Sequence, residues 1–197
     1  MDVVEAYGYV SKPLTDSGRF YAPGTSLGLG KGCIFRDAPY PVFDPDTSLY
    51  LTVAGPVYVL THECDVDADN RRLFNEAVLI CPLTPLEDIV AELSLVVQDE
   101  VLRGFLANLG ARNVSRLTYM PPIQGLLPYG SVMNLNLISN CTVDSFQDMT
   151  KLECAVTAFG LQAIEYMLDN HLLRPKADRL AFTPPEPGIL PVGDQDC

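Results

Sequence analysis

Two short apolar runs place the strongest constraint on what this chain can fold into. Residues 57–61 read Val-Tyr-Val-Leu-Thr, and residues 77–81 read Ala-Val-Leu-Ile-Cys. Both runs consist largely of β-branched, aliphatic and aromatic side chains and are shorter than a buried helix, which favours strands that are buried on both faces. We therefore expect the two runs to pair in the centre of a β-sheet, with the polar residues 62–76 as their connection.

Helical periodicity and capping sequences predict two helices packed on that sheet. Thr-Pro-Leu-Glu at 84–87 is typical of a capping box with proline in the first helical position, and apolar residues then recur at helical spacing up to Gly110. This pattern predicts a helix over 85–109. Thr-Lys-Leu-Glu at 150–153 repeats the capping sequence and predicts a second helix over 151–173.

Several shorter segments predict further strands. Residues 31–36 predict a strand that ends at the prolines that follow, and Gly55-Pro56 predicts a turn before the central strand. Residues 115–120 predict another strand. In residues 131–139 apolar and polar side chains alternate, which predicts a strand with one face exposed to solvent. This order of elements favours an α+β fold built on a small, strongly bent sheet or a partly open barrel.

Composition and charge favour one soluble domain and argue against two classes of partner. The 197 residues are 48% hydrophobic and 19% charged, so we expect one domain over 1–182 followed by a Pro-rich extension over 183–197. No apolar run approaches the roughly 20 residues that cross a bilayer, which predicts a cytoplasmic protein without a membrane partner. The formal net charge of −12 opposes a phosphate backbone, so generic nucleic acid is not an expected partner.

The polar segment after the first central run concentrates the chemically versatile side chains. Its members are His62, Glu63, Cys64, Asp65, Asp67, Asp69, Arg71 and Arg72. A strand that ends in such a segment presents functional groups at the rim of a sheet. The sequence therefore predicts that this loop carries the function, with Arg71 and Arg72 as the basic pair available to bind a ligand.

Calcium binding is the first chemistry that the loop suggests. Asp65, Asp67, Asp69 and Glu76 occupy positions 1, 3, 5 and 12 of an EF-hand-type loop, in which carboxylates surround the ion. The segment before Asp65 is a predicted strand, whereas an EF-hand needs a helix there. A solvated acidic turn is therefore the favoured explanation of these residues.

Binding of a transition metal such as zinc is the second chemistry that the loop suggests. His62 and Cys64 offer imidazole and thiolate, and residues two apart in an extended segment face the same side. Cys33, Cys81 and His171 are candidate distant ligands, although the six cysteines are spread singly and form no Cys-x-x-Cys pair. A buried thiol at Cys64 is the favoured alternative, since cysteine is among the residues most often buried.

Nucleophilic catalysis is the third chemistry. Cys64 would be the nucleophile, with His62 or His171 as its base. A catalytic cysteine needs a lowered pKa, and the neighbouring carboxylates of Glu63 and Asp65 act in the opposite direction. We therefore rank catalysis below metal binding.

The two central runs and the loop between them resemble the central pattern of the MazF/PemK-like toxin family. Residues 57–61 and 77–84, with the loop between them, carry the resemblance and cover roughly a quarter of the chain. The resemblance implies an SH3-like barrel and ribonuclease activity, although Gly55-Pro56 stands where the family usually has Arg-Pro. Thr61-x-x-Cys64-Asp65 also resembles a group of bacterial and phage proteins, which implies a bacterial or phage origin.

The sequence as a whole predicts an α+β protein with a bent sheet or SH3-like, partly open barrel and two packed helices. Its expected function is that of a small acidic binding or interaction protein that uses a pocket at residues 62–69. Zinc or calcium is the candidate cofactor, and a protein or small ligand is the expected partner. A MazF/PemK-like endoribonuclease and a cysteine-dependent hydrolase are the alternatives.

Binding to generic RNA or DNA at physiological salt should be weak or absent. The reason is the net charge of −12, with no basic cluster larger than Arg71-Arg72. Filter binding and an RNA-cleavage assay check this expectation. RNA turnover that is lost in Arg71→Ala and Arg72→Ala, but kept in the control Arg116→Ala, would instead support the endoribonuclease.

Overall fold

Eight antiparallel strands form one open sheet in the computed structural model, which describes residues 1–13, 20–23, 30–66, 77–149 and 151–172. The strands are β1 (Tyr21–Pro23), β2 (Cys33–Asp44), β3 (Leu49–Val59), β4 (Ala77–Pro85), β5 (Leu117–Met120), β6 (Ser131–Asn134), β7 (Ser139–Thr142) and β8 (Leu152–Val156). The helices in these ranges are α1 (Val3–Ser11), α2 (Glu63–Val66), α3 (Leu86–Ser94), α4 (Asp99–Gly110), α5 (Val143–Met149) and α6 (Ala158–Leu172). The strand order is β1-β8-β2-β3-β4-β6-β5, and β7 also pairs with β4. The predicted α+β class is confirmed.

Strands β3 and β4 pair in the middle of the sheet, as the two apolar runs predicted. Tyr58 pairs with Cys81, and Val59 pairs with Ile80. Ile80 also pairs with Ser139 of β7 on its other edge. Strand β4 is therefore enclosed by neighbours on both edges.

Alternate residues of the central strands enter two different cores, because successive side chains of a strand point to opposite faces. Tyr58 and Cys81 belong to a cluster that includes Ile164 and Met167 of α6. The opposite face carries a second cluster, in which the rings of Phe35 and Phe146 meet edge to face. The buried members of that cluster are Cys33, Phe35, Ala38, Val57, Val59, Val78, Ile80, Phe146 and Ala155. Burial on both faces accounts for the continuous apolar character of residues 57–59 and 80–83, whereas Ala77 and Leu79 at the start of β4 are exposed.

A third cluster covers the end of the sheet formed by β5 and β6. Helices α1, α3 and α4 meet there, and α1 is capped by Asp2, whose carboxylate accepts the N–H of Glu5 at 2.8 Å. The buried members are Ala6, Val10, Leu86, Val90, Leu102, Leu106, Leu109, Tyr119 and Val132. Among the described residues, none of the helices is both long and apolar enough to cross a membrane.

The prediction of one helix over 85–109 is wrong, and the described ranges hold six α-helices where two helices were expected. Helix α3 ends at Ser94, and α4 begins at Asp99 after Gln98, whose backbone is extended. Thr84 lies in β4 and does not cap α3. The apolar periodicity continues across the break because both helices bury side chains in the third cluster.

The prediction of a helix over 151–173 is wrong at its start. Residues Leu152–Val156 form β8, which pairs with β1 on one edge and β2 on the other. Thr157 follows, and its Oγ1 accepts the N–H of Gly160 at 3.2 Å, so α6 runs over Ala158–Leu172. Pairing with two strands outweighs the local capping sequence, because propensity is a weak determinant beside tertiary contacts.

The predicted strand over 131–139 is divided into β6 and β7 by a short 3-10 helix, Leu135–Leu137. The side chain of Asn134 accepts the N–H of Asn136 at 3.1 Å. Such a local side-chain hydrogen bond competes with the strand ladder and turns the backbone.

Strands β2 and β3 form one long hairpin where shorter segments were predicted. Gly55-Pro56 lies inside β3 and not in a turn, and Gly55 pairs with Ala38 beside a β-bulge in β2. A Cβ at Gly55 would lie 3.0 Å from the hydroxyl oxygen of Tyr40, so the glycine marks a close approach. Strand β2 likewise continues through two prolines to Asp44.

Two glycines of α4 lead to opposite expectations for stability. A Cβ at Gly104 would meet nothing within 4 Å, whereas a Cβ at Gly110 would overlap the carbonyl of Val10 in α1. Gly104→Ala should raise the free energy of unfolding by about 0.5–1 kcal/mol through helix propensity. Gly110→Ala should lower it by about 1–3 kcal/mol through overpacking. Chemical denaturation measures both changes, and equal effects would contradict the α1–α4 contact.

Candidate functional site

The loop that was predicted to carry function begins where the β3–β4 ladder ends. The N–H of Leu60 donates to the carbonyl of Leu79 at 2.9 Å. The N–H of Leu79 then donates to Oγ1 of Thr61 at 2.6 Å. The threonine hydroxyl thus takes the place of a backbone carbonyl and closes the ladder at the point where the chain leaves the sheet.

The one-turn helix α2 follows and holds the first site residues. The carbonyl of His62 accepts the N–H of Asp65 at 3.0 Å, and Nδ1 of His62 accepts the N–H of Cys64 at 3.4 Å. Gly30 lies against this turn, because a Cβ at Gly30 would be 2.8 Å from Cβ of Glu63. The turn is therefore positioned both by the end of β3 and by the segment that leads into β2.

The two side chains predicted to bind a transition metal are in contact. Nδ1 of His62 is 3.1 Å from Sγ of Cys64. Because the same nitrogen accepts the backbone N–H of Cys64, we assign the proton of the neutral ring to Nε2. The side chain of His62 is 56% exposed, so its imidazole is accessible from solvent.

Two carboxylates flank this imidazole–thiol pair. Oε2 of Glu63 lies 3.7 Å from Nδ1 of His62, and Oδ1 of Asp65 lies 3.9 Å from Sγ of Cys64. Both carboxylates place negative charge beside the imidazole and the thiol. The same charge attracts a metal cation to the turn.

The distant ligand candidates do not complete a metal site with this pair. Within the described ranges, no three His, Cys, Asp or Glu side chains are grouped so that they could hold a metal ion. Cys33 and Cys81 are buried in two different clusters. His171 lies in the last turn of α6, as expected of a side chain that interacts with the helix dipole.

Two of the buried thiols, Cys81 and Cys154, have raised pKa values. Burial raises the pKa of Cys81 to about 12, and its Sγ donates to the carbonyl of Asn134 at 3.3 Å. Burial, together with the nearby charge of Glu153, raises the pKa of Cys154 to about 11. These thiols therefore stay protonated at neutral pH.

Five other predicted site residues lie outside the described residues, so the calcium and ligand-binding predictions made on them stay predictions. These residues are Asp67, Asp69, Arg71, Arg72 and Glu76. Asp65 is described, and it follows a strand and part of a single helical turn. The entering helix of an EF-hand is replaced there by β3.

The outer end of the β2–β3 hairpin is a surface that the sequence analysis missed. Five large apolar side chains there are 42–74% exposed, namely Val42, Phe43, Leu49, Tyr50 and Leu51. A cleft at the base of the hairpin is lined by Pro39, Tyr40, Pro41, Thr52, Asn140, Cys141, Thr142 and Ser145. The available signal was the pair of apolar segments on either side of the turn at 45–48.

Comparison of the chain with protein-family models, with curated proteins and with solved structures finds no match in any of the three. The most distinctive feature of the described site is an imidazole–thiol contact, flanked by carboxylates, on a turn that the sheet holds in place.

The described cysteines should differ in their reactivity toward iodoacetamide in the folded protein. Cys64 is half-buried on a surface turn, whereas Cys33, Cys81 and Cys154 are buried and have raised pKa values. At about pH 8 we expect alkylation of Cys64, with the other three reacting only after unfolding, because the thiolate is the reactive form. Peptide mass spectrometry measures each site. Labelling of Cys81 in the folded protein as fast as Cys64 would contradict the expectation.

Proposed function

We propose that the protein is a small acidic binding protein whose loop at residues 62–69 carries the binding function. We further propose that His62 and Cys64 bind a divalent transition-metal ion, of which zinc is the best fit. The observation that carries this proposal is the distance of 3.1 Å between Nδ1 of His62 and Sγ of Cys64. Imidazole nitrogen and thiolate sulfur are the ligand atoms that zinc prefers.

The spacing of these two atoms is close to the spacing that zinc requires. A Zn–N distance of about 2.0 Å and a Zn–S distance of about 2.3 Å at a tetrahedral angle separate the ligand atoms by about 3.5 Å. The observed 3.1 Å reaches that value after a small rotation of either side chain. Because His62 is exposed and Cys64 is half-buried, an ion can reach the pair without opening a core.

A metal ion held by two protein ligands would exchange readily. Structural zinc sites use four protein ligands, and catalytic sites commonly use three. The remaining coordination positions are open to water, to a small ligand or to a partner's side chain, which suits a binding role. Binding displaces the thiol proton of Cys64, so the apparent affinity should rise with pH.

A cysteine-dependent hydrolase is the second candidate, and the same contact favours it. A thiol in hydrogen-bonding distance of an imidazole is the arrangement that generates a nucleophilic thiolate. A catalytic cysteine also needs a positive charge or a helix N-terminus beside it. Glu63 and Asp65 supply negative charge instead, and α2 has only four residues. We therefore place metal binding first.

The remaining expectations from the resemblance are also proposals. The endoribonuclease depends on Arg71 and Arg72, outside the described residues, and the SH3-like barrel would be a finer description of the open antiparallel sheet. We propose the cytoplasm of a bacterium or of a phage-infected cell as its location. The support is that no disulfide joins two of the five described cysteines, as in a reducing compartment.

Cobalt(II), a spectroscopic substitute for zinc, tests the metal proposal. Titration of the reduced protein should produce thiolate-to-cobalt charge-transfer absorption, because Cys64 would be a ligand. The absorption should be lost in Cys64→Ser and weakened in His62→Ala. Cys141→Ser is the matched control, since Cys141 is also half-buried but lies in β7, and this variant should keep the absorption.

Two outcomes would change the proposal. Cobalt absorption that persists in Cys64→Ser would exclude Cys64 as a ligand. Hydrolysis of an activated ester that is lost in Cys64→Ser and His62→Ala, in a protein that binds no cobalt, would place the hydrolase first.

A further inference from the structure

The outer half of the β2–β3 hairpin is apolar and exposed on both faces. Leu49, Tyr50 and Leu51 of β3 are 61%, 74% and 48% exposed. The turn that joins the strands is held locally, because the carboxylate of Asp44 accepts the N–H of Asp46 and the hydroxyl of Thr47. The hairpin is therefore an ordered arm with uncovered apolar side chains.

The two outer edges of this arm differ in their protection against strand pairing. Beyond the bulge, β2 carries Pro39 and Pro41, which lack N–H groups and keep a neighbouring strand away from an edge. Strand β3 pairs with β4 through Val57–Val59, and its residues 49–55 contain no proline. Within the described residues, no strand pairs with this part of the β3 edge.

The pairing register shows which groups point outward. Pro39 pairs with Ala54, and Pro41 pairs with Thr52. Since a proline nitrogen cannot take part in the ladder, these pairs are the ones whose backbone groups point away from the partner strand. The N–H groups of Thr52 and Ala54 therefore face the outer edge of β3, where they can bond to another strand.

The geometry points to a second copy of this chain as the occupant of that edge. We propose that residues 49–53 of β3 pair antiparallel with the same residues of the second copy, around a two-fold axis at Leu51. In this register Leu49 lies opposite Val53, and Tyr50 lies opposite Thr52. Each position is apolar or uncharged, so the strand is complementary to itself.

Charge favours this edge for contact between two copies. Each chain carries a net charge of −12, so most approaches between copies are repulsive, whereas residues 47–61 contain no charged side chain. The antiparallel arrangement also separates the acidic turns. Asp44 pairs with Leu49, which lies two positions from the axis, so the two Asp44 residues would be about four strand positions apart along the strands. That separation is roughly 13 Å at 3.3 Å per residue, beyond the screening length of about 8 Å.

Measurement of mass in solution tests this inference, which is independent of the metal proposal. Sedimentation under reducing conditions should show wild-type protein at twice the monomer mass of 21.6 kDa. Leu51→Lys and Leu51→Glu should each be monomeric, because like charges would meet across the axis. An equimolar mixture of the two variants should recover the dimer. Leu95→Lys, at an 85% exposed position elsewhere, is the matched control and should stay dimeric.

Thr52→Pro gives a second, backbone-level test, because it removes an outward N–H at the position opposite Pro41. The Thr52→Pro variant should be folded, as measured by circular dichroism, and should be monomeric in sedimentation. A monomeric wild-type protein would overturn the inference and leave the edge to a tail segment of this chain or to another protein. A dimer that survives Leu51→Lys or folded Thr52→Pro would place the interface elsewhere and overturn it equally.

Discussion

The pairing of β3 with β4 is the contact on which the rest of the structure depends. The paired strands bury Tyr58 and Cys81 on one face of the sheet and Val59 and Ile80 on the other face. Full burial of one such apolar side chain contributes about 1.5–3 kcal/mol to the free energy of unfolding. Helices α6 and α5 pack against these opposite faces, so both layers rely on the same pair of strands.

The same pairing positions the candidate site. The ladder ends with the hydroxyl of Thr61 in place of a backbone carbonyl, and the chain turns directly into α2. A rigid strand end can hold short-range side-chain geometry that an isolated peptide could not. The contact between His62 and Cys64 is local in sequence, but its exposure and its placement against Gly30 come from the sheet.

Strand β3 is divided into two halves with different surroundings. Its inner residues, 57–59, lie in the core, whereas β2 is the one described strand that pairs with its outer residues, 49–53. Natural sheets usually protect such an edge with charge or proline. Proline is present on β2 and absent from residues 49–55 of β3, which makes the hairpin the natural place for contact with another strand.

Sequence by itself determined the α+β class, the central pair of strands and the segment that carries His62 and Cys64, because each depends on short-range pattern. The tertiary structure decided the rest. The capping sequence before residue 152 predicts a helix, yet backbone pairing with β1 and β2 makes that segment a strand. Gly55-Pro56 is typical of a turn, yet the bulge and the approach of Tyr40 place it inside β3. Such contacts join residues far apart in the chain, and no local pattern encodes them.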